Sequence, residues 1–267
     1  MNSLDFINTK EKYNNTVSLH PKFLFRGQCD SSWALTPSLT RIVQRKNFSR
    51  EKALQLEREL VNKFSISASN LIDTKYTIKL SLASFAESIL TGNFGTIDFL
   101  GWFPMMQHFQ APTRCLDWST SYLVSLYFAC QNLNTDGMIW VVNFYQAEKQ
   151  GEIRMRGSND FQNKMADKDF TENILRFMMT SNTNERIEAQ QGRFSICTNP
   201  LSNHEAILNE YNAIEEKIII PKEYKEQILI HLYSMNINAR TLFPGLDGLG
   251  KSMLEYSELW DSTSIIS

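Results

Sequence analysis

Short runs of β-branched and aromatic residues, closed by Gly or Pro, alternate with helical stretches, yet nowhere in the βαβ rhythm of a parallel sheet. Lys22-Phe23-Leu24-Phe25-Arg26-Gly27 reads as a strand ending at a glycine. Gly137-Met138-Ile139-Trp140-Val141-Val142-Asn143 is the clearest strand of the chain. Further strand signals cover Leu116–Ser119, Gly192–Ile196 and Lys217–Ile220, the last stopped by Pro221. Helical spacing of apolar residues starts after Ser49 and recurs over 80–90, 98–110, 122–129 and 224–235, with a final helix after the Leu242–Gly248 turn. Residues 146–180, charged and Met-rich, read as an excursion over the surface. No GxGxxG follows a strand and no GxxxxGK[ST] occurs, which sets aside the dinucleotide-binding and P-loop folds. The expectation is an α+β fold of one domain, 21–267, with short mixed strands surrounded by helices, preceded by a polar lead-in, 1–20.

The 267 residues are 42% hydrophobic, enough for a sizeable core. With 27 basic and 29 acidic residues, no general attraction to nucleic acid or anionic membrane is expected. Cys29, Cys115, Cys130 and Cys197 lie far apart, without a CxxC pair, so reduced thiols in a cytoplasmic protein are the simplest reading. The N-terminus lacks the basic and apolar regions of a signal peptide, and the apolar runs are too short to span a membrane. The four histidines have no HxxxH or HExxH spacing, so no metal site is expected, and there is no GxSxG nucleophile.

One arginine and three polar stretches can carry chemistry, each with a structural alternative. Arg26, at a strand end before Gly27, suits a two-point grip on phosphate, or else pairs with a carboxylate. Ser119-Thr120-Ser121 either lines a pocket or caps the helix that follows. The loop from Gln107 and His108 to Thr113 and Arg114 is dense in hydrogen-bonding groups, which implies a bound molecule or a buried network. Asn184 to Gly192, with Glu188, Gln190 and Gln191, is either a catalytic loop or a solvated helix end capped by Gly192.

These residues resemble the FRG domain family. Its motif stands here as Phe25-Arg26-Gly27-Gln28, followed by Trp33, Leu35, Pro37 and Arg41. Later blocks are Gln107-His108 through Pro112-Thr113-Arg114 and Leu116-Asp117-Trp118, then Ala189-Gln190-Gln191-Gly192, then Thr241 to Leu249. Gln110 and Cys115 depart from the pattern, standing where a small residue and a leucine are expected.

The same order of parts is similar to the arginine–serine–glutamate branch of the ADP-ribosyltransferase superfamily, and implies its split sheet. The resemblance implies NAD as substrate, no metal, and transfer to an acceptor macromolecule, nucleic acid or protein. It implies Arg26 on NAD phosphate or ribose, with Gly27 and Gln28 beside it. It further implies Ser119, Thr120, Ser121 and Tyr122 shaping the nicotinamide pocket, with His108, Thr113, Arg114 and Gln190 as further contacts. Glu188-Ala189-Gln190 stands in reversed order where the family has a Glu/Gln-x-Glu loop, which makes Glu188, Gln190 or Gln191 the candidate at the ribose. A carboxylate there opposes the positive charge that develops on the sugar better than an amide does. Such an enzyme implies a bacterial toxin or phage-defence effector with an antitoxin partner. The alternatives are a non-catalytic nucleotide-binding module and an NAD glycohydrolase.

Overall fold

The structure, a computed structural model, describes residues 2–13, 21–69, 99–155, 157–178 and 185–260. In chain order the elements are α1 (Ser3–Asn8), a 3-10 turn (Thr9–Tyr13), β1 (Phe23–Gln28), α2 (Ser38–Arg45), α3 (Arg50–Ser69) and α4 (Phe99–His108). Then come β2 (Cys115–Ser119), α5 (Tyr122–Ala129), β3 (Gly137–Asn143), α6 (Phe144–Arg154), α7 (Ser158–Ala166) and β4 (Leu175–Met178). The chain continues through α8 (Glu185–Ala189), β5 (Gly192–Cys197), α9 (His204–Glu210), β6 (Ile214–Ile220), α10 (Lys222–Ser234), α11 (Ala239–Leu242) and α12 (Leu246–Glu258). The fold is α+β. The helix expected over 80–90 lies outside the described residues.

Six strands form one sheet in the order β4-β5-β2-β1-β3-β6. Each pairing is antiparallel, which narrows the expectation of mixed strands. β3 reads as a continuous apolar run because both its faces are covered. Ile139 and Val141 join the core beneath α5 and α10, whereas Met138, Trp140 and Val142 join Leu24, Leu116 and Tyr211 on the other face.

The sheet is forked at its centre. β1 pairs along its length with β3, from Phe23↔Asn143 to Gln28↔Met138. β2 pairs along its length with β5, from Cys115↔Ile196 to Ser119↔Gly192. Between β1 and β2 the register holds one pair, Phe25↔Ser119. Beyond it the two halves part, and the Arg26 guanidinium donates across the gap to the Asp117 carbonyl at 2.7 Å. Gly27 lets α5 settle onto β1, since a Cβ there would stand 1.8 Å from the Ser125 carbonyl oxygen.

Several segments differ from the sequence reading. Residues 3–13 of the lead-in are helical and bury Phe6, Ile7 and Tyr13, with Phe6 against Tyr224 of α10 and Tyr13 against Phe23 and Phe25 of β1 and Tyr122 of α5. Residues 146–180 are no surface excursion. They supply most of α6, all of α7 and the edge strand β4, with Met155, Phe161, Met165, Leu175 and Phe177 buried. Met155 and Met165 fill a core rather than face water. Glu215 and Glu216, expected before the strand, lie within β6.

Arg114, expected near the ligand, is locked in the core. Its Nε donates to Glu57 Oε1 of α3 at 2.7 Å, its Nη2 donates to Glu57 Oε2, and its Nη1 donates to the Thr198 carbonyl at 2.9 Å. Both side chains are buried. Removing one charge of such a pair strands the other, so Arg114→Met is expected to destabilise the fold by about 3–5 kcal/mol. Chemical denaturation checks this, and Arg114→Met with Glu57→Leu is expected to recover most of the loss.

Candidate functional site

A cavity of about 220 Å³ opens at the fork of the sheet. Arg26 of β1 with Asp117 and Ser119 of β2 forms one wall, Gln107 and His108 of α4 a second, and Ser125 and Phe128 of α5 a third. Arg186 and Gln190, at the two ends of the α8 segment, complete the lining. Along β2, Leu116 and Trp118 pack into one core while Asp117 and Ser119 share the opposite face, and Trp118 also borders the cavity from its own side.

Arg26 stretches across the fork, its Nη1 also 3.9 Å from Asp117 Oδ2. Its side chain is 20% exposed, and its Nε is buried with no hydrogen-bond partner. Burial lowers its pKa, against the pull of Asp117. Asp117 is held from the other side, where Gln107 Nε2 donates to its Oδ2 at 2.6 Å and Thr113 Oγ1 donates to Gln107 Oε1 at 2.7 Å. Thr113 thus lies one shell behind the cavity.

Ser119 Oγ donates to the Gln190 carbonyl at 2.8 Å and accepts from the Ser121 N–H at 3.0 Å. Gln190 Nε2 in turn donates to the Leu242 carbonyl at 2.9 Å, tying the C-terminal segment to the wall. Phe243 packs edge-on to Phe128, with ring centroids 6.0 Å apart, and lies beneath the Arg186 and Lys251 cations. The ring of His108 is half-buried, and burial and then Arg186 hold its pKa below the ordinary value while Asp247 opposes them.

Arg26, Gly27, His108, Ser119 and Gln190 therefore share the cavity as the sequence suggested. The remaining candidates lie elsewhere. Gln28 is buried farther along β1, where its Oε1 accepts from Trp140 Nε1 at 2.6 Å. Ser121 is the N-cap of α5, accepting from the Val124 N–H. Tyr122 is buried edge-on against Phe25, with ring centroids 5.7 Å apart. Thr120 donates to Gln191 Oε1 at 3.1 Å. Gln191 is exposed and turns the chain at φ 49°, so the turn between α8 and β5 falls on it rather than on Gly192. Glu188 is exposed on α8, and its side chain does not line the cavity.

Sequence reasoning assigned no individual role to Asp117, Gln107, Ser125, Phe128 or Arg186. The signal for Asp117 was present: a carboxylate two residues before Ser119 in an otherwise apolar strand.

Behind β2, Trp118 Nε1 donates to Ser195 Oγ at 2.8 Å, and Ser195 Oγ meets His204 Nδ1 at 2.9 Å. His204 is fully buried, and burial, reinforced by Arg26, pulls its pKa down to about 3. The folded state therefore favours neutral His204, so this contribution is complete above pH 6.5 and is lost as pH falls toward 3. The expected loss approaches about 1.4 kcal/mol per pH unit below 6.5. Denaturation curves from pH 7 to 4 are expected to show a flatter acid limb for His204→Gln than for the parent chain.

Residues 21–137 match the family model of the FRG domain, so this part of the chain is an FRG domain. No curated protein and no solved structure matches the chain. No helix among the described residues is long and apolar enough to cross a membrane.

Proposed function

We propose that this FRG-domain chain consumes NAD as an ADP-ribosyltransferase of the glycosyltransferase class, passing ADP-ribose to a nucleic acid or protein. The observation that carries the reading is the convergence of Arg26, Ser119 and Gln190 on one cavity that also holds the carboxylate of Asp117. Breaking the bond between nicotinamide and ribose leaves positive charge on the sugar, and a nearby anion lowers that barrier. Asp117 takes the role that the sequence assigned to Glu188. Among the described residues it is the carboxylate in the cavity wall, and the Gln107 amide orients it. Arg26 suits a phosphate, because its buried Nε is a donor that an anionic oxygen would satisfy.

In this reading Ser119 and Gln190 shape the ribose and nicotinamide end. Their mutual hydrogen bond supports that role by fixing the α8 segment against β2. Transfer onto cellular macromolecules fits a toxin or phage-defence effector working in the cytoplasm and restrained by an antitoxin protein.

The test is incubation of the purified chain with labelled NAD and RNA, DNA or lysate. Label on a macromolecule supports transfer, free ADP-ribose alone points to a glycohydrolase, and neither leaves a binding module. Asp117→Asn is expected to slow turnover about 100- to 1000-fold with NAD binding nearly unchanged. Arg26→Lys keeps the charge but loses the fork, and is expected to raise the KM for NAD. Glu188→Gln is expected to turn over normally, and a collapse of turnover in that variant would return the role to Glu188.

A further inference from the structure

We propose that His108 is the general base of the transfer step, removing the proton of the acceptor as that group attacks the ribose. The inference rests on the ADP-ribosyl transfer reading above. Two tasks in that reaction need two different groups. One must stay anionic beside the developing cation, and another must accept a proton. Asp117 cannot do both, since protonation would remove the charge for which it is needed.

The other polar groups of the wall narrow the choice. Arg26 and Arg186 are cations without a lone pair to offer, Gln107 and Gln190 are amides, and Ser119 and Ser125 are hydroxyls. Among the described lining residues, His108 is the group able to take a proton near neutral pH. Its ring is set edge-on against Phe109, with centroids 4.6 Å apart. Its main chain is fixed by Arg186, whose Nη1 donates to the His108 carbonyl at 3.2 Å.

The charges around the ring keep it a base. Arg186 of α8 disfavours the imidazolium, while Asp247 of α12 favours it less strongly, and burial outweighs both. Lys251 of α12 and Asp117 of β2 act on that same group of charges through Arg186. Neutral at pH 7, the ring has a nitrogen lone pair with which to receive a proton.

The step balances without an oxidant. The acceptor oxygen or nitrogen bonds to the anomeric carbon, and the bond to nicotinamide breaks with its electron pair passing to the ring nitrogen. The proton of the acceptor moves to His108, and water later removes it.

Labelled NAD with lysate provides the assay, reading label on macromolecules and free ADP-ribose together. His108→Ala is expected to lower transfer about 100- to 10,000-fold while leaving the KM for NAD nearly unchanged. Added imidazole is expected to restore transfer in that variant, which a purely structural loss would not allow. The parent rate is expected to fall in acid with a midpoint below 6.5, and His108→Gln to lose that limb. Transfer by His108→Ala at the parent rate overturns the proposal, as does a loss expressed in KM without rescue by imidazole. A parent chain that neither transfers nor hydrolyses NAD overturns the ADP-ribosyltransferase reading instead.

Discussion

The hydrogen bond from the Arg26 guanidinium to the Asp117 carbonyl spans the place where the central strands stop pairing. A regular ladder continued past Phe25↔Ser119 would close the sheet and erase the cavity. The close seat of α5 over Gly27 packs a helix against β1 at the fork, and an arginine rather than a second strand meets the edge of β2 there. One long side chain thus satisfies a backbone acceptor across the gap while its own Nε stays buried and unpaired. Strand edges are hydrogen-bonding surfaces, and here that capacity faces a cavity instead of solvent.

β2 carries this arrangement and is fixed on several sides. Arg114, immediately before it, is clamped by Glu57 and the Thr198 carbonyl. Trp118 reaches Ser195 and His204 on one face, while Ser119 ties into the Gln190 carbonyl on the other. Such a lattice costs desolvation at the buried Arg114–Glu57 pair and at His204, and what it gives is a strand whose carboxylate has a defined direction. Gln107, with Thr113 behind it, aims that carboxylate from the neighbouring loop.

Much of this was legible in the chain and some was not, for physical reasons. β3 was plain because both faces are buried, which leaves an uninterrupted apolar run. Ser121 was readable as a cap from its place before an apolar helix. Arg26, Ser119 and Gln190 followed from motif order. Arg114 misled because a polar residue in a polar loop does not reveal that its partner, Glu57, waits on a distant helix. Glu188 misled because a short helix turns its carboxylate outward, a matter of rotation rather than of composition. The β4 segment was hidden because it is four residues long and Arg176 interrupts its apolar run, so that only packing exposes the period.

The tie between Gln190 and the Leu242 carbonyl has a consequence for when the site comes into being. Its walls draw on β1 near the start of the chain and on a segment braced by α11 near the end. A ribosome delivers Arg26 long before it delivers Leu242, and an N-terminal fragment ending with the FRG domain match at 137 lacks Arg186 and Gln190 altogether. A nascent chain therefore lacks part of this cavity's wall until the α8 segment has been made, and lacks the brace on that wall until Leu242 follows.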